Sequence, residues 1–199
     1  MWSSCISLAW RYRPGMNPLA TIDDVYNELD KRASRLGYSP PRDLGKNRSQ
    51  CYELLWKGTP ILLVGFRDLA RIPDYSAENR LWVEGFQPIL RRVNECIGAG
   101  DDPPFIPPAY GIIYDNPARD FVLVPFRHLI STYSKRLEPR LKTMTHFSFS
   151  VVRDDEAYYL QTPRGGDNLP LRHVGTLEPL LSILERGRSA DTRVHINDE

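Results

Sequence analysis

Residues 51–68 read CYELLWKGTPILLVGFRD, from Cys51 to Asp68. Two apolar, β-rich runs, Cys51–Trp56 and Thr59–Arg67, flank the dipeptide Lys57-Gly58. A two-residue link ending in glycine between such runs predicts an antiparallel hairpin, because a tight turn there needs backbone that glycine adopts without penalty. In the second run Ile61, Leu62, Leu63 and Val64 follow one another without a polar break. Such a run predicts a strand buried on both faces rather than one with a wet side.

Upstream of the hairpin, Ile22, Val25, Tyr26, Leu29, Ala33 and Leu36 recur at three- and four-residue spacing and predict an amphipathic helix. Thr21 with Asp24 forms a capping pattern, Asp23 and Asp24 suit the positive end of the dipole, and Lys31, Arg32 and Arg35 suit the negative end. Gly37 is the expected stop. Residues 38–50 are polar and proline-bearing and read as a loop.

Downstream, Arg80–Phe86 reads as a strand, and Pro88 suits the first turn of a helix carrying Ile89, Leu90, Val93 and Ile97. Ala109–Tyr114 and Phe121–Phe126 flank an Asp-Asn-Pro turn and lead to a helix marked by Leu129, Ile130, Tyr133 and Leu137. His146–Val152, Ala157–Thr162 and Leu169–Val174 read as further strands. Thr176 caps a last helix with Leu177, Leu180, Leu181 and Leu184, which Gly187 is expected to close. The fold class expected is α+β: a mixed, mainly antiparallel sheet of several hairpins, flanked by about four helices. Residues 1–15 read as an extension, 16–188 as a single α+β domain, and 189–199 as a frayed tail.

Composition sets the outer bounds. The chain has 199 residues, 41% hydrophobic and 26% charged, which is ordinary globular usage and argues against wholesale disorder. Lys+Arg 26 against Asp+Glu 25 leaves a formal charge of +1, so nucleic-acid binding would need a local basic face. The three cysteines, Cys5, Cys51 and Cys96, are widely separated and include no CxxC pair. That pattern supports neither a thiolate zinc site nor a disulfide framework, and points to a reducing, cytoplasmic setting. No apolar run reaches the length of a membrane span, so no membrane partner is expected.

Intact catalytic strings are absent: there is no GxGxxG, P-loop, HExxH or GxSxG. The histidines, His128, His146, His173 and His195, lack ligand spacing. Asp101-Asp102 and Asp154-Asp155-Glu156 read as turn acids, and Arg164-Gly165-Gly166 as either a hairpin loop or an anion cradle. Phe147 and Phe149 alternate along a strand and therefore share one side, as core residues do.

The hairpin itself, an acid near the start of one strand and a buried second strand ending in a cation, resembles the core of the PD-(D/E)XK, or restriction-endonuclease-like, nucleases. In that family an Asp on the first strand and Glu-x-Lys on the second hold a divalent metal that activates water. Glu53 stands at the position of the first carboxylate, Gly65 at the second, and Arg67 at the lysine; Asp68 follows one residue later. Glu28 on the preceding helix and the Pro-then-helix pattern of FVLVPFRHL, residues 121–129, are similar to further family features. Pro73-Asp74 with Glu84 has related spacing, but Gly85 and Phe86 follow and no lysine.

The resemblance implies a nucleic-acid-associated protein, binding DNA or RNA without strong catalysis, with Lys46, Arg48, Arg67 and Arg71 on phosphate. No cofactor is then expected. An active metal-dependent endonuclease would instead use Mg2+ on Glu53, Asp68 and Glu28. The reading independent of the resemblance is an interaction module that recognises a partner protein and has no nucleic-acid role.

Overall fold

A computed structural model describes residues 21–45, 50–68, 80–97, 106–115, 118, 120–137, 147–155, 157–162 and 166–189. The expected extension at residues 1–15 and residues 190–199 of the expected tail lie outside them, while Ser189, expected to begin that tail, ends the last helix. The first helix, α1 (Ile22–Arg35), begins as its sequence dictates: the Thr21 hydroxyl accepts the Asp24 amide at 3.1 Å. It ends in a Schellman turn, with the Gly37 amide on the Ser34 carbonyl and the Tyr38 amide on the Ala33 carbonyl. Gly37 sits at φ +84°, a conformation an L side chain resists.

A two-residue strand β1 (Arg42–Asp43) precedes the hairpin β2 (Cys51–Trp56) and β3 (Thr59–Asp68). Lys57 and Gly58 both take positive φ, 49° and 84°, which is the type I′ geometry whose twist matches that of paired strands. A register shift between Leu54 and Leu55 marks a bulge. Then follow β4 (Arg80–Glu84), α2 (Gln87–Ile97), β5 (Ala109–Asp115), β6 (Asp120–Pro125) and α3 (Phe126–Leu137). The chain continues with β7 (Ser148–Asp154), β8 (Ala157–Leu160), β9 (Leu169–Leu171) and α4 (Glu178–Ser189).

The strands divide into two sheets, one ordered β1-β2-β3-β5-β6 and one ordered β4-β7-β8-β9. Among the described residues all strand pairings are antiparallel except β3 with β5, whose connection carries β4 into the second sheet and α2 back. This is the expected α+β class. What the sequence pattern did not convey is the departure of β4 from the hairpin's sheet. The two sheets meet where the segment after β9 runs along β6: Val174 bridges Val122, and the Leu123 amide donates to the His173 carbonyl at 3.1 Å.

The first sheet is covered on both faces, which explains the unbroken apolar run of β3. Leu62, Val64 and Phe66 pack with Val25 and Leu29 of α1 and Leu180 and Leu184 of α4. Leu63 packs on the other face, with α2 residues Ile89, Leu90 and Val93 and with Phe149, Val151 and Leu160 of the second sheet. Burying a Leu or Phe side chain in this way stabilises by roughly 1.5–3 kcal/mol. Phe147 and Phe149 fall in the core as their alternation predicts. Gly187 differs from expectation, because α4 continues past it to Ser189. A Cβ there would lie 2.6 Å from the Tyr38 hydroxyl and 2.7 Å from Ile61, so this glycine permits close helix–sheet approach. The Tyr38 hydroxyl in turn donates to the Leu184 carbonyl at 2.5 Å, and burial pushes its pKa up to about 12.

Candidate functional site

Glu53, Gly65 and Arg67 alternate onto the α2-facing side of the hairpin, because Cys51 and Leu63 of the same parity belong to that core. Glu53 is fully buried and holds two guanidinium groups. Arg42, directly opposite it on β1, donates through Nη2 to Oε2, and Arg92 on α2 donates through Nε to Oε1 at 2.7 Å. Arg92 also reaches Glu95 at 3.1 Å. A carboxylate buried without such partners would face a desolvation cost of several kcal/mol. Both of its oxygens are engaged.

The neighbouring position is closed by an aromatic ring. Gly65 pairs with Gly111 across the parallel β3–β5 ladder, and Phe86 lies against both. A Cβ on Gly65 would stand 2.2 Å from Phe86 Cδ1, and one on Gly111 would stand 3.0 Å from the ring. Phe86 is fully buried and has φ 65°, a region unfavourable for a bulky residue. Its carbonyl accepts the amides of Ile89 and Leu90, so the same residue starts α2.

Arg67 locks this junction from outside. Its guanidinium lies 4.8 Å above the Phe86 ring. Nε donates to the Glu84 carbonyl at 2.9 Å and Nη1 to the Phe66 carbonyl at 2.6 Å. Gly85 faces the guanidinium so closely that a Cβ would lie 2.1 Å from Nη2. Burial raises the Cys51 thiol beneath this cluster above its ordinary range, with the Arg67 charge pulling partly the other way. It is a packing residue in its neutral form.

The other expected site residues do not join Glu53. Glu28 sits on the flank of α1, paired with Arg32 at 3.0 Å, and α1 covers the opposite face of the sheet. Asp68 ends β3 beside Tyr114 and, by alternation, shares the side of Phe66 rather than that of Glu53. No group of three or more His, Cys, Asp or Glu with metal-binding arrangement occurs among the described residues. Lys46, Arg48 and Arg71, expected on phosphate, lie outside the described residues.

Two polar features escaped sequence reasoning. Asp115, from the turn expected only to be Asp-rich, is buried and accepts the Tyr158 hydroxyl at 2.9 Å, tying the first sheet to the second. That contact and burial raise the Tyr158 pKa well above its ordinary value, burial first. The second feature is basic. Arg127 and His128 open α3, and the β6 register places Arg172 and His173 alongside. Burial, then the Arg127 charge, then the charge of the other imidazole, lowers His128; burial, Arg127 and Arg172 lower His173. These four residues come from segments far apart in the chain, so no local string announces them.

What the fold defines is a two-sheet α+β protein whose hairpin face is filled by ion pairs and an aromatic ring. No family model, curated protein or solved structure matches the chain.

Proposed function

We propose that this chain is a nucleic-acid-associated binding protein whose hairpin keeps the outline of a nuclease core while its former catalytic positions serve packing. The single observation that carries the non-catalytic part is the Phe86 ring lying on the Cα of Gly65. Metal-assisted phosphodiester cleavage needs a carboxylate at the ion and room for a water beside it. The ring occupies that room, and Glu53 beside it is neutralised by Arg42 and Arg92. The association with nucleic acid rests on the hairpin resemblance, and with a formal charge of only +1 any phosphate contact must fall on a local basic face. The unpaired thiols Cys51 and Cys96 suit a reducing, cytoplasmic compartment.

The test is incubation of plasmid with the full chain in Mg2+ or Mn2+, beside a Glu53→Gln variant. Intact plasmid in both reactions is the expected result. Cleavage that the variant abolishes would overturn the non-catalytic reading. Absence of binding to any nucleic acid at low salt would overturn the association and favour a module for a protein partner.

A further inference from the structure

We infer that the junction where β6 turns into α3, with the segment after β9 laid against it, is the surface on which the chain receives a nucleic-acid phosphate backbone. This rests on the proposed association and adds its location, away from the cations of the hairpin.

The geometry comes from main-chain pairing. With Val174 bridging Val122 and His173 bonded to Leu123, the antiparallel register carries Arg172 toward Val124 and the end of β6. Pro125 ends that strand opposite Tyr110, and Phe126, Arg127 and His128 follow at once. Arg127, Arg172 and His173 are exposed, and His128 is half-buried with Nδ1 enclosed and unpartnered.

Three properties support this placement. First, neither Arg127 nor Arg172 forms an ion pair among the described residues, so both exposed guanidinium groups are open to an outside anion. Second, the first turn of α3 contains no acid, and it places Arg127 at the positive end of the helix dipole. Cations there are unfavourable by several tenths of a kcal/mol unless an anion joins them. Third, charge is polarised along β6: its opposite end carries Asp120 paired with Asp115. The exposed arginines come from two segments far apart in the chain. That suits an extended polyanion, whose bound counterions are released when arginines replace them, better than a small enclosed anion.

The experiment is fluorescence anisotropy with labelled duplex DNA, single-stranded DNA and single-stranded RNA of matched length over a NaCl series at neutral pH. The full chain is compared with Arg127→Gln/Arg172→Gln and with Lys31→Gln/Arg35→Gln on α1. The wild type should bind with an affinity that falls steeply with salt. The Arg127/Arg172 variant should bind about tenfold more weakly at low salt, with a log–log slope shallower by about 2, since each phosphate contact contributes about 0.9 to the slope. The α1 variant should match wild type. Circular dichroism verifies that both variants are folded. Wild-type binding that the Arg127/Arg172 variant retains with an unchanged slope would overturn this location while leaving the association intact. Failure of the wild type to bind any of the three probes would overturn both. The probe bound most tightly at matched salt identifies the kind of nucleic acid.

Discussion

The α2-facing side of the β2–β3 hairpin and the β6–α3 junction both carry arginines, but treat them in opposite ways. On the hairpin, Arg42 and Arg92 close on the buried Glu53, and Arg67 is bonded to two carbonyls and stacked on Phe86. At the junction, Arg127 and Arg172 are exposed and form no ion pair among the described residues. The difference teaches that a charged residue at a catalytic-looking position is not thereby available. On the hairpin the charges are part of the core's construction. At the junction they make no ion pair among the described residues, and the proposed phosphate backbone would be their partner.

Gly65→Asp tests the hairpin most severely. Placing a carboxylate there drives its Cβ into the Phe86 ring, and the variant should lose more than about 4 kcal/mol in urea unfolding, or fail to fold. A variant that stays stable and gains Mg2+ binding would show that the ring moves aside and that the face is only latched. Arg92→Ala should cost about 3 kcal/mol, because Glu53 would stay buried with Arg42 as its single partner. A loss below about 0.5 kcal/mol would mean the pair behaves like an exposed surface bridge, and the contrast with the junction would fade.

A smaller effect is expected from acid. His128 and His173 have lowered pKa values, so the unfolded chain takes up protons near the ordinary histidine value, about 6.5, while the folded chain does not. Their contribution is therefore complete above about pH 6.5 and diminishes as pH falls through that value toward the folded-state pKa. The urea midpoint should decline over this window, and His128→Gln/His173→Gln should flatten the decline. An undiminished decline in the double variant would assign it to other groups. The smallest effect is that of Arg127→Gln/Arg172→Gln on stability itself, within about 0.5 kcal/mol of wild type by thermal or urea unfolding. A large loss would show that these arginines, too, are structural.

Much of the local architecture was legible residue by residue. The Thr21–Asp24 cap, the Gly37 stop and the Lys57-Gly58 turn are each decided by the conformations and hydrogen bonds of a few adjacent residues, and each is realised. The continuous apolar run of β3 correctly announced a strand covered on both faces. Candidate site residues were less legible. Glu53 reads as an acid on a strand, and nothing nearby in sequence reveals that Arg92, on a later helix, closes over it. Gly65 reads as a missing carboxylate, although its spatial partner Phe86 is the actual reason that no side chain fits.

By itself, then, the sequence determined the α+β class, the capped first helix, the tight antiparallel hairpin and the burial of β3, because these follow from short-range periodicity, turn chemistry and capping. Only the tertiary structure decided that the strands split into two sheets, that Phe86 fills the place above Gly65 and Gly111, and that Arg127, His128, Arg172 and His173 share one edge. Those outcomes depend on contacts between residues tens of positions apart. Long-range packing and charge placement leave no periodic trace in the chain, so they become visible only once the fold has brought the residues together.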